Sequence, residues 1–208
     1  MHATPPLDGR SARALRTREA IVDACISLVE EGELRPTAPR VAERAGVSVR
    51  SVFQHFEDLP ALHSAVNQRI VMRLKALLHP VDVTLPLGAR IQAFVRHRGA
   101  LLEAMTPYQR AAKVHGPFAP EIEEAVRVGN GYLRDEVAGV FQLEIDQAPP
   151  VDRRELLEAL ATVLSWATWD TMRSDGARSV DEASAVARRL VRSLLAEVAD
   201  VSGVSRGS

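Results

Sequence analysis

The stretch that decides the fold runs from Pro36 to Leu62 and reads PTAPRVAERAGVSVRSVFQHFEDLPAL. Val41, Ala42 and Ala45 recur at helical spacing, with Thr37 placed as an N-cap and Pro39 tolerated in the first turn. Gly46-Val47-Ser48 makes a tight turn, and Ser48 caps a second short helix reaching about His55. Val49, Val52, Phe53 and Phe56 supply the inward face of that second helix. Small Ala42 lets the two helices approach closely, and Gly46 permits the sharp turn between them. Two readings fit this spacing equally well. One is a helix-turn-helix whose second helix enters a DNA major groove; the other is a pair of core helices with solvated polar residues outside. On the first reading Val49, Arg50, Ser51, Gln54 and His55 face outward. Arg bonds guanine bidentately, Gln pairs with adenine, and Ser or His reaches a phosphate or a base. The backbone N–H groups at the Ser48 helix start also suit a phosphate.

Working outward, residues 1–13 carry Pro5, Pro6 and Gly9 with little periodicity and read as a flexible basic arm. From about Ala14 to Glu31 the set Leu15, Ile21, Ala24, Cys25, Leu28 and Val29 recurs at helical spacing, and Gly32 ends the run. Asp58 caps a fourth helix running toward Leu78. Pro86 opens the next, which Pro107 ends, and Tyr108–Val114 is a short helix of its own. Phe118 to about Leu143 forms one long helix, and Pro149-Pro150 breaks the chain. Asp152-x-x-Glu155 and Ser179-x-x-Glu182 match capping boxes that open the last two helices, to about Arg173 and Val201. The expectation is an all-α chain of about nine helices with no strand signal.

Composition sets the bounds. The chain has 208 residues, 46% of them apolar and 25% charged, which suits a soluble globular protein with a proper core. The single Cys25 excludes an intramolecular disulfide, and no apolar run approaches ~18 residues, so a cytoplasmic protein without a membrane span is expected. Net charge is −1 and argues for no particular partner, although Arg10, Arg13, Arg16, Arg18, Arg40, Arg44 and Arg50 gather in the first quarter and make a basic edge able to bind phosphates. The sequence holds no Gly-rich phosphate loop, no Gly-x-Ser-x-Gly elbow and no His-Glu-x-x-His helix. Its histidines show no metal-ligand spacing, so no enzyme, cofactor or metal centre is expected.

Residues from about Arg16 to Val66 resemble the N-terminal domain of the tetracycline-repressor (TetR) family of transcription regulators. The resemblance rests on an apolar helix ending in Glu31-Gly32, then Thr37, Val41-Ala42-x-x-Ala45-Gly46-Val47-Ser48, Val52-Phe53-x-His55-Phe56 and Leu62. It implies a three-helix DNA-binding head over 14–66, with Val49, Arg50, Ser51 and Gln54 reading bases. Thr37, Phe53 and His55 then occupy positions that touch phosphates. Three residues depart from the family pattern: Phe53 stands where Tyr is usual, Leu59 where Lys is common, and Pro60 where an acid is common. Each of the first two removes a phosphate contact, which the Arg10–Arg18 stretch could replace.

The resemblance further implies a helical body over 67–208 that dimerises and senses a small molecule. LSWATWDTMRSDGARSVDEA, from Leu164, resembles the family's closing helices, which pair with their copies in a second subunit. The broad stripe of Ala185, Val186, Ala187, Leu190, Val191, Leu194, Leu195 and Val198 agrees with a homodimer through the last two helices, as a palindromic double-stranded operator requires. Intramolecular packing is the competing account of that stripe. Phe94, His97, Leu101, Met105, Tyr108, Trp166 and Trp169, with Phe118 and Tyr132, are the residues able to line an apolar effector pocket, though each also suits plain core filling. The function expected is a sequence-specific repressor released by a small apolar ligand. The alternative is an interaction protein that keeps the fold and has weak or lost DNA binding.

Overall fold

In a computed structural model, the described residues run from 9 to 204, with the side chains of 198–204 excepted. Residues 1–8 of the expected arm, and the side chain of Val198, lie outside the described residues. The described chain is all-α: α1 (Gly9–Glu30), α2 (Ala38–Ala45), α3 (Val49–His55), α4 (Leu59–Lys75), α5 (Leu87–His115), α6 (Pro120–Val140), α7 (Gln142–Gln147), α8 (Arg153–Val163), α9 (Trp166–Asp170) and α10 (Val180–Val204). No described helix is long and apolar enough to cross a membrane.

The chain divides into two compact units. The first comprises the residues up to Ala76 together with Pro107–Ala125. Its centre is α1, which packs on α2, α3 and α4. Ile21, Val22, Ile26 and Leu28 meet Val41 and Ala42 of α2, Val52 and Phe56 beside α3, and Leu62 and Val66 of α4. Leu15, expected in the apolar set, is 47% exposed. Residues 9–13, expected in the arm, form the first turns of α1. Arg and Ala are good helix formers, and Thr17 Oγ1 donates to the Arg13 carbonyl at 3.1 Å. Outside the core, Arg69 pairs with Asp23, and Arg73 with Asp23 and Glu30, so α4 is also held to α1 by charge.

Local starts and stops follow the chain's own chemistry. Gly46 ends α2 at φ 67°, ψ 32°, in the left-handed region, and Val47 donates back to the Ala42 carbonyl at 3.0 Å. Asp58 caps α4 by accepting from the Ala61 N–H at 2.8 Å, which puts Pro60 in the first turn, where its missing donor costs nothing. Ser179 and Glu182 form the reciprocal capping box of α10 (3.2 and 2.7 Å).

The second unit comprises Leu77–Thr106 and the chain from Val126 onward. Ile91, Phe94 and Val95 of α5, Val137 of α6, Ile145 of α7, Leu160 of α8, and Ala187, Val191 and Leu195 of α10 share one core. Four expectations need correction here. Pro107 does not end its helix, since α5 runs through it to His115. The lost hydrogen bond costs about 3 kcal/mol, and buried Leu101, Leu102 and Met105 before it and Ala111 after it outweigh that. The long helix expected to reach Leu143 breaks at Phe141, whose wholly buried ring meets Phe94 edge-on at 5.5 Å. The helix expected to reach Arg173 ends at Val163, because Ser165 starts α9 by accepting from the Thr168 N–H at 3.3 Å. Asp152 makes no capping bond, so that box is not formed.

This unit also buries charge. Arg98, 2% exposed, donates to the Leu133 carbonyl (2.9 Å), the Leu164 carbonyl (3.3 Å) and Glu136 (2.8 Å), and lies over the Phe94 ring. Arg90, 3% exposed, bonds Glu144 and the Val83 carbonyl. Removing one member of such a pair strands the other in a medium that solvates it poorly.

Two outcomes are expected. Gly46→Ala forces a side chain into the left-handed region and should destabilise the protein by roughly 1–2 kcal/mol, read as a lower urea midpoint. Burial first, with His79 and Arg98 also contributing, holds His97 below its ordinary pKa of 6.5 against the opposing pull of Glu136. Burial, His63 and Arg35 do the same to His115, opposed by a hydrogen bond with the Leu34 backbone. A folded pKa below the unfolded one means stability is complete above about pH 6.5 and is lost as pH falls through it. The thermal midpoint should therefore drop between pH 7.5 and 5.5, and a His97→Gln, His115→Gln double variant should flatten that drop.

Candidate nucleic-acid interface

The outer surface of α3 is set by what its inner surface must do. Val52 (1% exposed) and Phe56 (3%) stand four residues apart and point into the first unit's core. Phe53 was expected inward with them but is 48% exposed; Val49, named both for the inward face and among the outward side chains, is 39% exposed. A seven-residue helix offers one narrow buried stripe, Phe53 lies about 100° round from Val52, and Val49 sits in the uncovered first turn. The exposed face is therefore Val49, Arg50, Phe53 and Gln54, which lie side by side on successive turns. His55 and Ser51 are half-buried at its margins. Ser48 Oγ accepts from the Ser51 N–H at 3.1 Å, fixing the start of the helix.

Charge on this surface is unevenly committed. Arg40 bonds Glu43 at 2.5 Å and Glu33 at 3.4 Å. Arg44 grips Glu31 through two bonds of 2.5 and 2.6 Å, which raises the guanidinium's pKa and lowers the carboxylate's. Arg18 lies over the Phe56 ring at 4.7 Å. Arg50, Arg10, Arg13 and Arg16 are exposed and make no ion pair among the described residues. Thr37 is exposed in extended conformation, and its hydroxyl makes no capping bond, leaving it open to a ligand. Leu59, at the start of α4, is a further exposed apolar side chain of this unit. The pairing of Arg44 with Glu31 is thirteen residues long in sequence and carries no periodic signature, so sequence reasoning missed that neutralisation.

The residues put forward for an effector pocket fall in both units. Phe94, His97, Leu101, Met105, Trp166 and Trp169 belong to the second; Tyr108 belongs to the first, packs against its core and donates to Glu30. Burial, then Glu30, pushes the Tyr108 hydroxyl up to about 12. Trp166 Nε1 donates to Thr106 Oγ1 at 3.2 Å and Trp169 Nε1 to Glu103 Oε1 at 2.6 Å, and Arg173 closes on the same carboxylate at 2.8 Å. Both indoles thus lie against α5. Gly99 admits Trp169, since a Cβ there would stand 2.9 Å from the ring. Phe118 and Tyr132 are 78% and 64% exposed. Among the described residues no cluster of three His, Cys, Asp or Glu side chains could hold a metal ion.

No family model matches the sequence, and no curated protein does. Solved structures do match. One is described as a TetR-family transcriptional regulator from Mesorhizobium loti, with TM-score 0.66 and 20% identity over 88% of this chain and 97% of that one. A transcriptional regulator from Rhodococcus gives 0.61 and 17% over 88% and 96%. A TetR transcription regulator from Haloarcula marismortui gives 0.60 and 19% over 87% and 97%. Identities this low carry the backbone arrangement and nothing finer. The chain has the fold of the TetR-type transcription regulators.

Proposed function

We propose that this chain is a sequence-specific DNA-binding transcription regulator, acting as a homodimer through its last two helices. The observation that carries the reading is the exposed face of α3. Arg50 and Gln54, the two side chains best able to read base edges, have no partner within the described residues. Their neighbours Arg40 and Arg44 are held by carboxylates. Leaving a guanidinium and an amide unsatisfied side by side on a rigid helix suits bidentate bonding to guanine and adenine in a major groove. Val49 and Phe53 beside them present apolar surface suited to thymine methyl groups. Thr37, Ser48, Ser51 and His55 border the same face and would take phosphates or base edges, with Arg40 joining them only by giving up its carboxylates.

Two copies related by a two-fold axis match the two half-sites of a palindromic operator. The protein is then a repressor released by a small apolar effector. Phe94, Leu101, Met105, Trp166 and Trp169, with His97 as the orienting polar group, supply the surface for such a molecule in the second unit. A ligand that favours one arrangement of the body and DNA that favours another lower each other's affinity by the same factor.

The neutralised Arg40 and Arg44, with exposed apolar Phe53 and Leu59, favour a second reading: a protein of this fold that binds another protein and has lost DNA. One experiment separates the two. Duplexes selected from a random pool by the purified protein should converge on a two-fold symmetric site. An Arg50→Ala, Gln54→Ala double variant should lose about 1–3 kcal/mol per lost base contact on that site, at both low and high salt. Binding that is weak, sequence-blind and abolished by moderate salt would discard the regulator in favour of the interaction protein.

A further inference from the structure

The α8–α10 surface carries an arrangement of charge that its own unit does not use. Several charges of the second unit are paired within the chain: Arg134 with Glu158, Arg153 with Asp146, Arg173 with Glu103, and the buried Arg90 and Arg98 with Glu144 and Glu136. On α10, a groove of about 520 Å³ is bordered by Arg188, Arg189 and Arg192 together with Ala185, Ser193 and Ala196. A second groove of about 330 Å³, bordered by Leu156 and Leu194, carries Asp152, Glu155 and Glu197. None of these six charged groups makes an ion pair among the described residues. Arg189 and Glu197 cannot neutralise each other within one chain, because they are eight residues apart on one helix, roughly 12 Å along its axis.

Their order along α10 is symmetric about Ser193. Ala185, Arg189, Ser193 and Glu197 stand four residues apart and form one ridge. Reversing that ridge about Ser193 lays Arg189 on Glu197 and Glu197 on Arg189. Small Ser193 at the crossing point permits close approach. Exposed Leu190 (40%), with Ala185 and Ala196, supplies apolar surface around it, and Asp152 and Glu155 reinforce the acidic end. Helices whose four-residue ridges interlock cross at about −50°, which brings the two reversed ridges alongside each other.

We propose that this surface is a self-complementary charge code for a second copy of the same chain: a two-fold axis passes at Ser193 of α10, and Arg189 of each copy meets Glu197 of the other. The proposal rests on the dimer reading above and adds where the axis lies and what selects the partner. Like charges facing each other across such a contact repel and shut out wrong partners. A chain with the same fold and a different order of charge on its last helix is thereby rejected.

The test uses the full-length chain, Arg189→Glu and Glu197→Arg variants, and sedimentation with one variant carrying a size tag. Wild type should be a dimer at micromolar concentration. Each variant alone faces two like-charge contacts per dimer, so its dissociation constant should rise by more than about tenfold. An equimolar mixture of the two restores both contacts, one as in wild type and one with its charges exchanged, and should assemble one-to-one as tightly as wild type. That rescue separates lost charge matching from lost folding, and unchanged far-ultraviolet helicity supports the same point. Variants that dimerise like wild type, or a mixture no tighter than its components, overturn the charge code while the dimer stands. A wild-type monomer at these concentrations overturns the dimer reading itself, and the charge code with it.

Discussion

Ile21, Ile26 and Leu28 on α1 are shut away from water, and the helices that enclose them are the ones that carry the candidate interface. Burying each such side chain is worth about 1.5–3 kcal/mol relative to exposure, so the stripe on α1 is the surface against which α2, α3 and α4 are oriented. Val41 and Ala42 hold α2 to it, Val52 and Phe56 hold α3, and Leu62 and Val66 hold α4. With only two inward side chains, α3 has little freedom to roll. Rolling by one residue would expose Val52 and bury Phe53 or Gln54 in its place. The outward direction of Arg50 and Gln54 is thus a consequence of hydrophobic packing several residues away.

A second level of organisation lies in which charges are satisfied. Near-neutral net charge conceals a sorting: Arg69, Arg73 and Arg98, which hold helices together, are matched to carboxylates, as are Arg40 and Arg44 on α2, while Arg50 on α3 and Arg189 on α10 are left open among the described residues. Arg69 and Arg73 join α4 to α1, and Arg98 ties α5 to the carbonyls of Leu133 and Leu164. The exposed pairs made by Arg69 and Arg73 contribute little stability, with a median of about 0–1 kcal/mol for such pairs. Their value is directional, since each matched pair removes a cation from competition for an external anion. The first unit therefore offers fewer open arginines to an anion than composition implies.

Much of this was legible in the sequence, for identifiable reasons. Gly46, Ser48 and Asp58 act within three or four residues of themselves, so their roles follow from local chemistry, as does the Ser179–Glu182 box. The all-α architecture follows from repeated apolar periodicity. What was illegible depends on partners distant in sequence. Pro107 carries a strong stop signal that distant packing overrides, and Phe141 breaks a helix because its ring is required against Phe94. Arg40 and Arg44 look like open cations until the chain folds Glu31, Glu33 and Glu43 beside them. Val49 and Phe53 are apolar yet exposed, which no hydrophobic pattern announces.

The placement of the indoles has an optical consequence. The chain has two tryptophans, and both Trp166 and Trp169 lie in the second unit, buried and bonded to Thr106 and Glu103 of α5. Intrinsic emission excited at the red edge of protein absorbance therefore reports on that unit alone, and Glu103 stands next to one of its two emitters. The first unit contributes only tyrosine, through Tyr108. Any event that loosens one unit and spares the other will appear in tryptophan emission or escape it entirely, so a single chain carries a built-in means of telling which half has moved.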